Sequence, residues 1–311
     1  MIDSASSTEL GEPTVAQPLF APSVHIGAVW ILMTTQFSFA TGSAASVTPP
    51  WRSPEMIAFC MAHFREDSMD LTLRTQTLEN DATDHAFWKV GEENETWEPA
   101  KTALLLCDVW DSHPCRGAVE RLDAMVGRMN EVCTAVRDGG GLIVHAPSDT
   151  MDFYVDFAAR KRVLSTPPAP SPAPADHEDP PLPIDDSDGG SDTGESDSRR
   201  TWTQQHSVIE IDEQLDVMSD SGEEVYSVFA ERGIDHMLIL GVHTNMCVLH
   251  RTFGIKAMVR WGIRVALIRD LTDTMYNPAK SPYVAHEEGT RLVVSFIEKF
   301  WCPSVLSDDL L

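Results

Sequence analysis

The sequence predicts a doubly wound, three-layer α/β/α fold with a mostly parallel sheet. Three observations point to it. Short continuous apolar runs (Thr102–Cys107, Leu142–His145, Met237–Leu240, Val265–Ile268) have the composition of strands buried on both faces. Between them lie stretches with apolar residues at three- and four-residue spacing, as in helices with one buried side. The two kinds alternate from residue 102 onward, and such alternation builds a parallel sheet covered by helices on both faces. Sites in these folds form beyond the carboxyl ends of the strands, so the residues that follow each run draw the functional expectation.

Residues 1–70 lack a clean period and are rich in Ser, Thr and Pro, so a poorly ordered extension is expected there. Within it, Val24 to Ala40 is apolar and Ser43-Ala44-Ala45 is a small-residue run, as around a signal cleavage site. Residues 1–24 carry Asp3, Glu9 and Glu12 but no Lys or Arg, against the basic start of a signal peptide. Thr, Gln and Ser inside the stretch also argue against a spanning helix. A cytoplasmic location is expected; a secreted or periplasmic one is the alternative if the stretch is a signal. A start codon placed too far upstream is a competing account.

The folded domain is expected at residues 71–302, followed by a tail at 303–311. Leu71 to Thr77 alternates like an edge strand, and Trp97-Glu98-Pro99 reads as a loop. After the Thr102–Cys107 strand, Val119, Leu122, Met125, Val126, Met129, Val132, Cys133 and Val136 mark a helix that Gly139-Gly140-Gly141 stops. Residues 165–198 hold eight prolines and nine acidic residues with no Lys or Arg, which predicts a solvated insertion. Asp186-Ser187-Asp188-Gly189 faintly resembles a calcium loop, but the ligand spacing beyond it is poor. Val208 to Ile211 reads as a strand and Ser221 to Arg232 as a helix stopped by Gly233. A helix is expected from Cys247 to about Trp261, and a last one from Glu287 to Phe300.

The formal net charge of −25 excludes nucleic acid and anionic membrane as partners, since both need a basic surface. Six cysteines without C-x-x-C spacing read as free thiols rather than a disulfide framework. One of them, Cys247, follows a strand and a polar loop, His243-Thr244-Asn245-Met246, where a helix is expected to begin. Unpaired N–H groups and the helix dipole would favour a thiolate there, the form that attacks carbonyl carbon. Asp108, His145, Gly241 and Asp270 close four strands, so Asp108 and Cys247 are predicted to meet.

Two stretches carry a family resemblance. Ala103 to Asp111 (ALLLCDVWD) resembles the first strand of the isochorismatase-like cysteine hydrolases, which ends in an aspartate general base. Gly241 to Val248 (GVHTNMCV) resembles that family's G-V-x-T-x-x-C-V signature, whose cysteine is the nucleophile. The family includes nicotinamidases, isochorismatases and N-carbamoyl amide hydrolases. The resemblance implies a small-molecule substrate cleaved at an amide or related C–N bond, with Asp108 as base and Cys247 as nucleophile. It implies an oxyanion hole from the backbone N–H groups of His243 and Cys247, a cis Val242–His243 peptide, and a homo-oligomer of unfixed size. No cofactor and no metal are assigned: the Asp-x-His of nicotinamidases is absent, since Asp149 is followed by Thr150 and Met151. A zinc site of another kind would draw on His113, Cys115, His145 and Asp149.

The family's catalytic lysine is missing from its usual place. No lysine occurs between Lys161 and Lys256, and Asp212-Glu213-Gln214 stands where it would be. Lys161, beside the insertion, is the stand-in this reading offers, with Lys89 behind it. Trp110, His145, Asp149 and Thr244 are expected to face the substrate. The missing lysine and the acidic insertion motivate a second reading, a catalytically degenerate member that binds a small molecule or a protein. The acidic stretch and the signal-like segment motivate a third, a secreted calcium-dependent interaction protein.

Overall fold

The computed structural model describes residues 68–195 and 199–311. The Val24–Ala40 stretch and Cys60 lie outside the described residues. Eight strands form one sheet: β1 (Met69–Asn80), β2 (Ala86–Trp97), β3 (Thr102–Cys107), β4 (Leu142–Ala146), β5 (Val217–Met218), β6 (His236–Val242), β7 (Arg264–Asp273) and β8 (Ser304–Val305). Their order is β2-β1-β8-β7-β6-β3-β4-β5. The ladders from β8 through β7, β6, β3 and β4 to β5 are parallel. β1 is antiparallel to both β2 and β8.

The continuous apolar runs have the reason expected of them. Leu104 and Leu106 of β3 pack on one face with helix α1 (Arg116–Asp138), while Ala103, Leu105 and Cys107 pack on the other. That second face is covered by α3 (Gly222–Arg232), α4 (Ile255–Arg260) and α5 (His286–Phe300). The short α2 (Ala158–Ser165) adds Val163 to the same layer. Each fully buried leucine of β3 contributes about 2 kcal/mol by removal from water.

Strand order fixes where the site falls. After the β1–β2 hairpin, the parallel part of the sheet starts at β3 and winds outward through β4 and β5. It then returns to β6, on the other side of β3, and winds outward to β7 and β8. The direction reverses between β3 and β6, and a crevice opens beyond their carboxyl ends at such a switch. Asp108 follows β3, and the cysteine loop follows β6.

Several expectations need correction. Leu71 to Thr77 is part of a longer β1, and the edge strand is β2; alternation alone does not reveal how many strands a hairpin adds. Trp97 ends β2 and is buried rather than looped out. Residues 303–311 are more than a tail, because Ser304–Val305 enters the sheet between β7 and β1 and the Ser307 N–H donates to Asp270. Val208 to Ile211 forms no strand: only Ile209 is buried, and the sheet instead takes Val217–Met218. A four-residue apolar run carries too little signal to separate the two outcomes.

The acidic insertion is largely exposed over residues 165–181, as expected, but it is also docked on the domain. His177 stacks on Trp301 at 4.2 Å, and Asp179 pairs with Lys256 at 2.6 Å. Asn245 Nδ2 donates to Asp186 at 2.8 Å, and Asn277 Nδ2 donates to Asp188 at 2.9 Å. Asp192 pairs with Arg121 of α1 at 2.7 Å. Composition predicts solvation because the segment has no cations of its own; the rest of the chain supplies them.

Candidate active site

The β3 strand ends in Asp108, which sits in the left-handed region at φ 50° and is fully buried. That turn aims its carboxylate back over the sheet. The Ser148 N–H donates to Oδ1 at 2.8 Å, and Arg251 Nε donates to Oδ2 at 3.0 Å.

The β6 strand presses against β3 at Gly241, where φ is +115° and a Cβ would lie 2.0 Å from the Cys107 carbonyl oxygen. Only glycine fits that approach. The Val242–His243 peptide is cis, as the resemblance implies. Thr244–Val248 then forms one π-helical turn, an uncommon device that often marks functional sites. The helix expected from Cys247 to Trp261 is therefore broken. The chain bends at Arg251–Gly254, where the Gly254 N–H donates to the Arg251 carbonyl at 2.8 Å, and α4 starts only at Ile255. A Cβ on Gly254 would lie 2.7 Å from the Val248 carbonyl, and fully buried Phe253 anchors the bend in the core.

Cys247 is half-buried, whereas Cys107, Cys115, Cys133 and Cys302 are buried. Its thiol lies near enough to Asp108 and Arg251 for both charges to act on it. Burial, then the Asp108 charge and its hydrogen bond, push the Cys247 thiol up to about 12, with Arg251 and the His243 N–H opposing. Burial and the Asp108 charge both favour the protonated thiol over the thiolate. A buried turn beside a carboxylate outweighs any helix-end effect. Burial also raises the Asp108 carboxyl, while Arg251, Cys247 and Ser148 hold it down.

The cation at this site is Arg251, not Lys161. Lys161 lies on α2 with its side chain 58% exposed and pairs with Asp156 at 3.2 Å. Lys89 is on β2, paired with Glu79 at 3.1 Å. Arg251 comes four residues after Cys247, one turn along, which brings its side chain round to the same side. That spacing is the signal the sequence offers. A search confined to lysines before the cysteine misses it.

The other expected residues divide. Asp149, at φ 64°, lies beside the site, with its carboxylate 3.7 Å from Arg251. Trp110 is buried; its Nε1 donates to the Ser148 carbonyl at 3.1 Å, and its ring stacks on Trp202 at 4.1 Å. Thr244 is fully buried and shares a hydrogen bond with Thr272 at 2.7 Å, so it braces the turn rather than facing substrate. His145 is likewise fully buried, with ring nitrogens 3.0 Å from Gln205 and Asp216, in a separate cluster that includes Arg137. Polar residues at strand ends can turn inward to satisfy one another, and sequence does not reveal which do. Among the described residues no group of three or more His, Cys, Asp or Glu is arranged to hold a metal ion.

Next to the cysteine turn lies a cavity of about 250 Å³, lined on one side by His113, Cys115, Trp202, Met246 and Met275. The opposite side is the docked insertion, through Asp188, Gly189, Ser191 and Glu195.

No protein-family model matches the sequence, and no curated protein matches it. Among solved structures, the chain is similar to a cysteine hydrolase from Pseudomonas syringae pv. phaseolicola 1448A, at 15% identity and TM-score 0.43 over 68% of this chain and 91% of that one. It is similar to an N-carbamoylsarcosine amidase from Thermoplasma acidophilum, at 13% identity and TM-score 0.34 over 67% and 97%. A nicotinamidase from Staphylococcus aureus matches at 12% identity and TM-score 0.30 over 64% and 94%. By strand order the chain has a doubly wound α/β fold with a mostly parallel sheet.

Proposed function

We propose that this protein is a cysteine hydrolase that cleaves an amide or related C–N bond of a small molecule through a covalent intermediate on Cys247. The observation that supports it most is that the fully buried Asp108 carboxylate is paired with Arg251 at 3.0 Å and lies beside the Cys247 thiol.

The chemistry follows from those three groups. As sulfur attacks the carbonyl carbon, its proton passes to the Asp108 carboxylate. The developing oxyanion is held by the backbone N–H groups of His243 and Cys247. The C–N bond then breaks, and the leaving amine takes the proton from Asp108. Water next gives a proton to Asp108 and adds to the thioester. The C–S bond breaks, and the departing sulfur recovers that proton. Arg251 moves no proton, because a guanidinium stays charged at any working pH. Its role is to keep a fully buried carboxylate ionised. The degenerate reading rests on the missing lysine and the acidic insertion; the charge of Arg251 weighs against the first of these.

The test is intact-mass analysis after rapid acid quench with a panel of small amides. An acyl adduct on Cys247, absent in Cys247→Ala, is expected. The reading falls if no amide is turned over and iodoacetamide labels Cys247 no faster than Cys107, Cys133 and Cys302.

A further inference from the structure

The docked insertion supplies one wall of the cavity beside the nucleophile turn, and the two walls differ in kind. The insertion wall presents the carboxylates of Asp188 and Glu195 together with Ser191. The opposite wall presents the Trp202 indole, His113 and the thioethers of Met246 and Met275. Among the described residues no lysine or arginine lines the cavity. Of the nearby cations, Arg121 pairs with Asp192 and Asp273 and Arg116 with Glu120, while Lys280 acts on Asp188 and Arg116 also on Glu195 without lining the cavity.

The insertion is also fixed to the catalytic loop. Asn245, two residues before Cys247 and buried, donates to Asp186 of the insertion at 2.8 Å and to the Met275 carbonyl at 3.1 Å. Its side-chain oxygen accepts from the Met275 N–H at 2.9 Å. Gly190 lies so close to Met275 that a Cβ would fall 2.3 Å from its carbonyl oxygen. The wall therefore stands at a set distance from the cysteine turn, as a specificity element requires.

We propose that this cavity is the specificity subsite of the hydrolase and selects amides that carry a positive charge, such as a quaternary or primary ammonium group, near the scissile carbonyl. Carboxylates lining the same cavity as an aromatic ring and thioethers are surroundings in which an organic cation is held by charge and by the ring quadrupole. The net charge of −25 acts in the same direction at long range by drawing cations toward the molecule. This rests on the cysteine-hydrolase reading and deepens it by naming the substrate class.

The test uses two amides of the same shape. Betaine amide carries a trimethylammonium group where tert-butylacetamide carries the uncharged tert-butyl group. Each is titrated against the full-length Cys247→Ala protein by calorimetry, and each is offered to the unaltered protein as protection of Cys247 from iodoacetamide. Betaine amide is expected to bind and protect about tenfold better than its isostere. The combined change Asp188→Asn and Glu195→Gln, both on the exposed side of the cavity, is expected to narrow that gap to about twofold or less. Equal binding of the two amides, or a preference that survives removal of both carboxylates, overturns the proposal. Those outcomes leave the cysteine-hydrolase reading standing if Cys247 still labels selectively. Failure of selective labelling overturns both.

Discussion

Replacing Arg251 tests how the site stays charged. Asp108 is fully buried, and its one ion-pair partner at hydrogen-bond distance is the Arg251 Nε at 3.0 Å. A charge-assisted bond of this kind is worth about 1.5–3 kcal/mol. The Arg251 side chain is 34% exposed, so solvent screening argues for the lower part of that range, about 2 kcal/mol. In Arg251→Met the Asp108 carboxyl should therefore rise further, beyond what burial alone does to it. The Cys247 thiol loses the same stabilising charge, so its alkylation near neutral pH should slow by about thirtyfold. Arg251→Lys keeps the charge and should recover most of that loss. Stability gives an independent readout. A carboxyl raised in the folded state disfavours folding above its unfolded value, and the cost is relieved as pH falls through the raised value. Arg251→Met should thus be about 2 kcal/mol less stable than the parent at pH 7, with the gap closing on acidification. The assay is the pH dependence of Cys247 alkylation, read by mass spectrometry beside urea denaturation. Alkylation of Arg251→Met at the parental rate would refute the reasoning, as would Arg251→Lys being as slow as Arg251→Met.

Other expected outcomes can be checked with the same methods. Gly241→Ala forces a Cβ to within 2.0 Å of the Cys107 carbonyl at a φ of +115°, so a loss on the order of 3 kcal/mol is expected in urea denaturation, with slower Cys247 labelling. Asp216 is held down to about 2: burial works to raise it, but bonds from His145, Arg137 and the Asp212 N–H outweigh that. Its stabilisation is present above the unfolded carboxylate value and is lost as pH falls through about 2. Asp216→Asn should then cost about 2 kcal/mol or more at neutral pH and progressively less in acid. Lys161→Ala should leave Cys247 labelling unchanged and stability within about 0.5 kcal/mol, because its ion pair with Asp156 is exposed. A marked loss of labelling in that variant would return Lys161 to the site.

Much of the fold is written locally. The runs at Thr102, Leu142, Met237 and Val265 are recognisable because a strand covered on both faces must be apolar throughout. The α1 and α5 helices show in three- and four-residue spacing because each covers one face of that sheet. Asp108 and the Cys247 turn stand out for a related reason. Residues that close buried strands have few structural roles to fill, so an acid and a cysteine placed there point to chemistry. The hairpin β1–β2 and the short β5 and β8 are less visible, since brief or half-exposed strands leave little pattern behind.

The residues of the site itself separate by the range of the forces that place them. Sequence by itself determined the parallel centre of the sheet and the placing of Asp108 and Cys247 after neighbouring strands, because strand composition and connection order dictate them. It did not determine the cation, because the four-residue spacing puts Arg251 on the side of Cys247 without showing which carboxylate its long side chain meets. It did not separate His145 and Thr244, which turn inward, from Asp149, which stays beside Arg251. Nor did it show that the acidic insertion docks, since the cations and amides that hold it lie from fifty to a hundred residues away in many cases. Side-chain direction and long-range charge pairing are settled by packing, which local sequence does not encode, and in this protein they decide which cation serves Cys247 and what covers the cavity beside it.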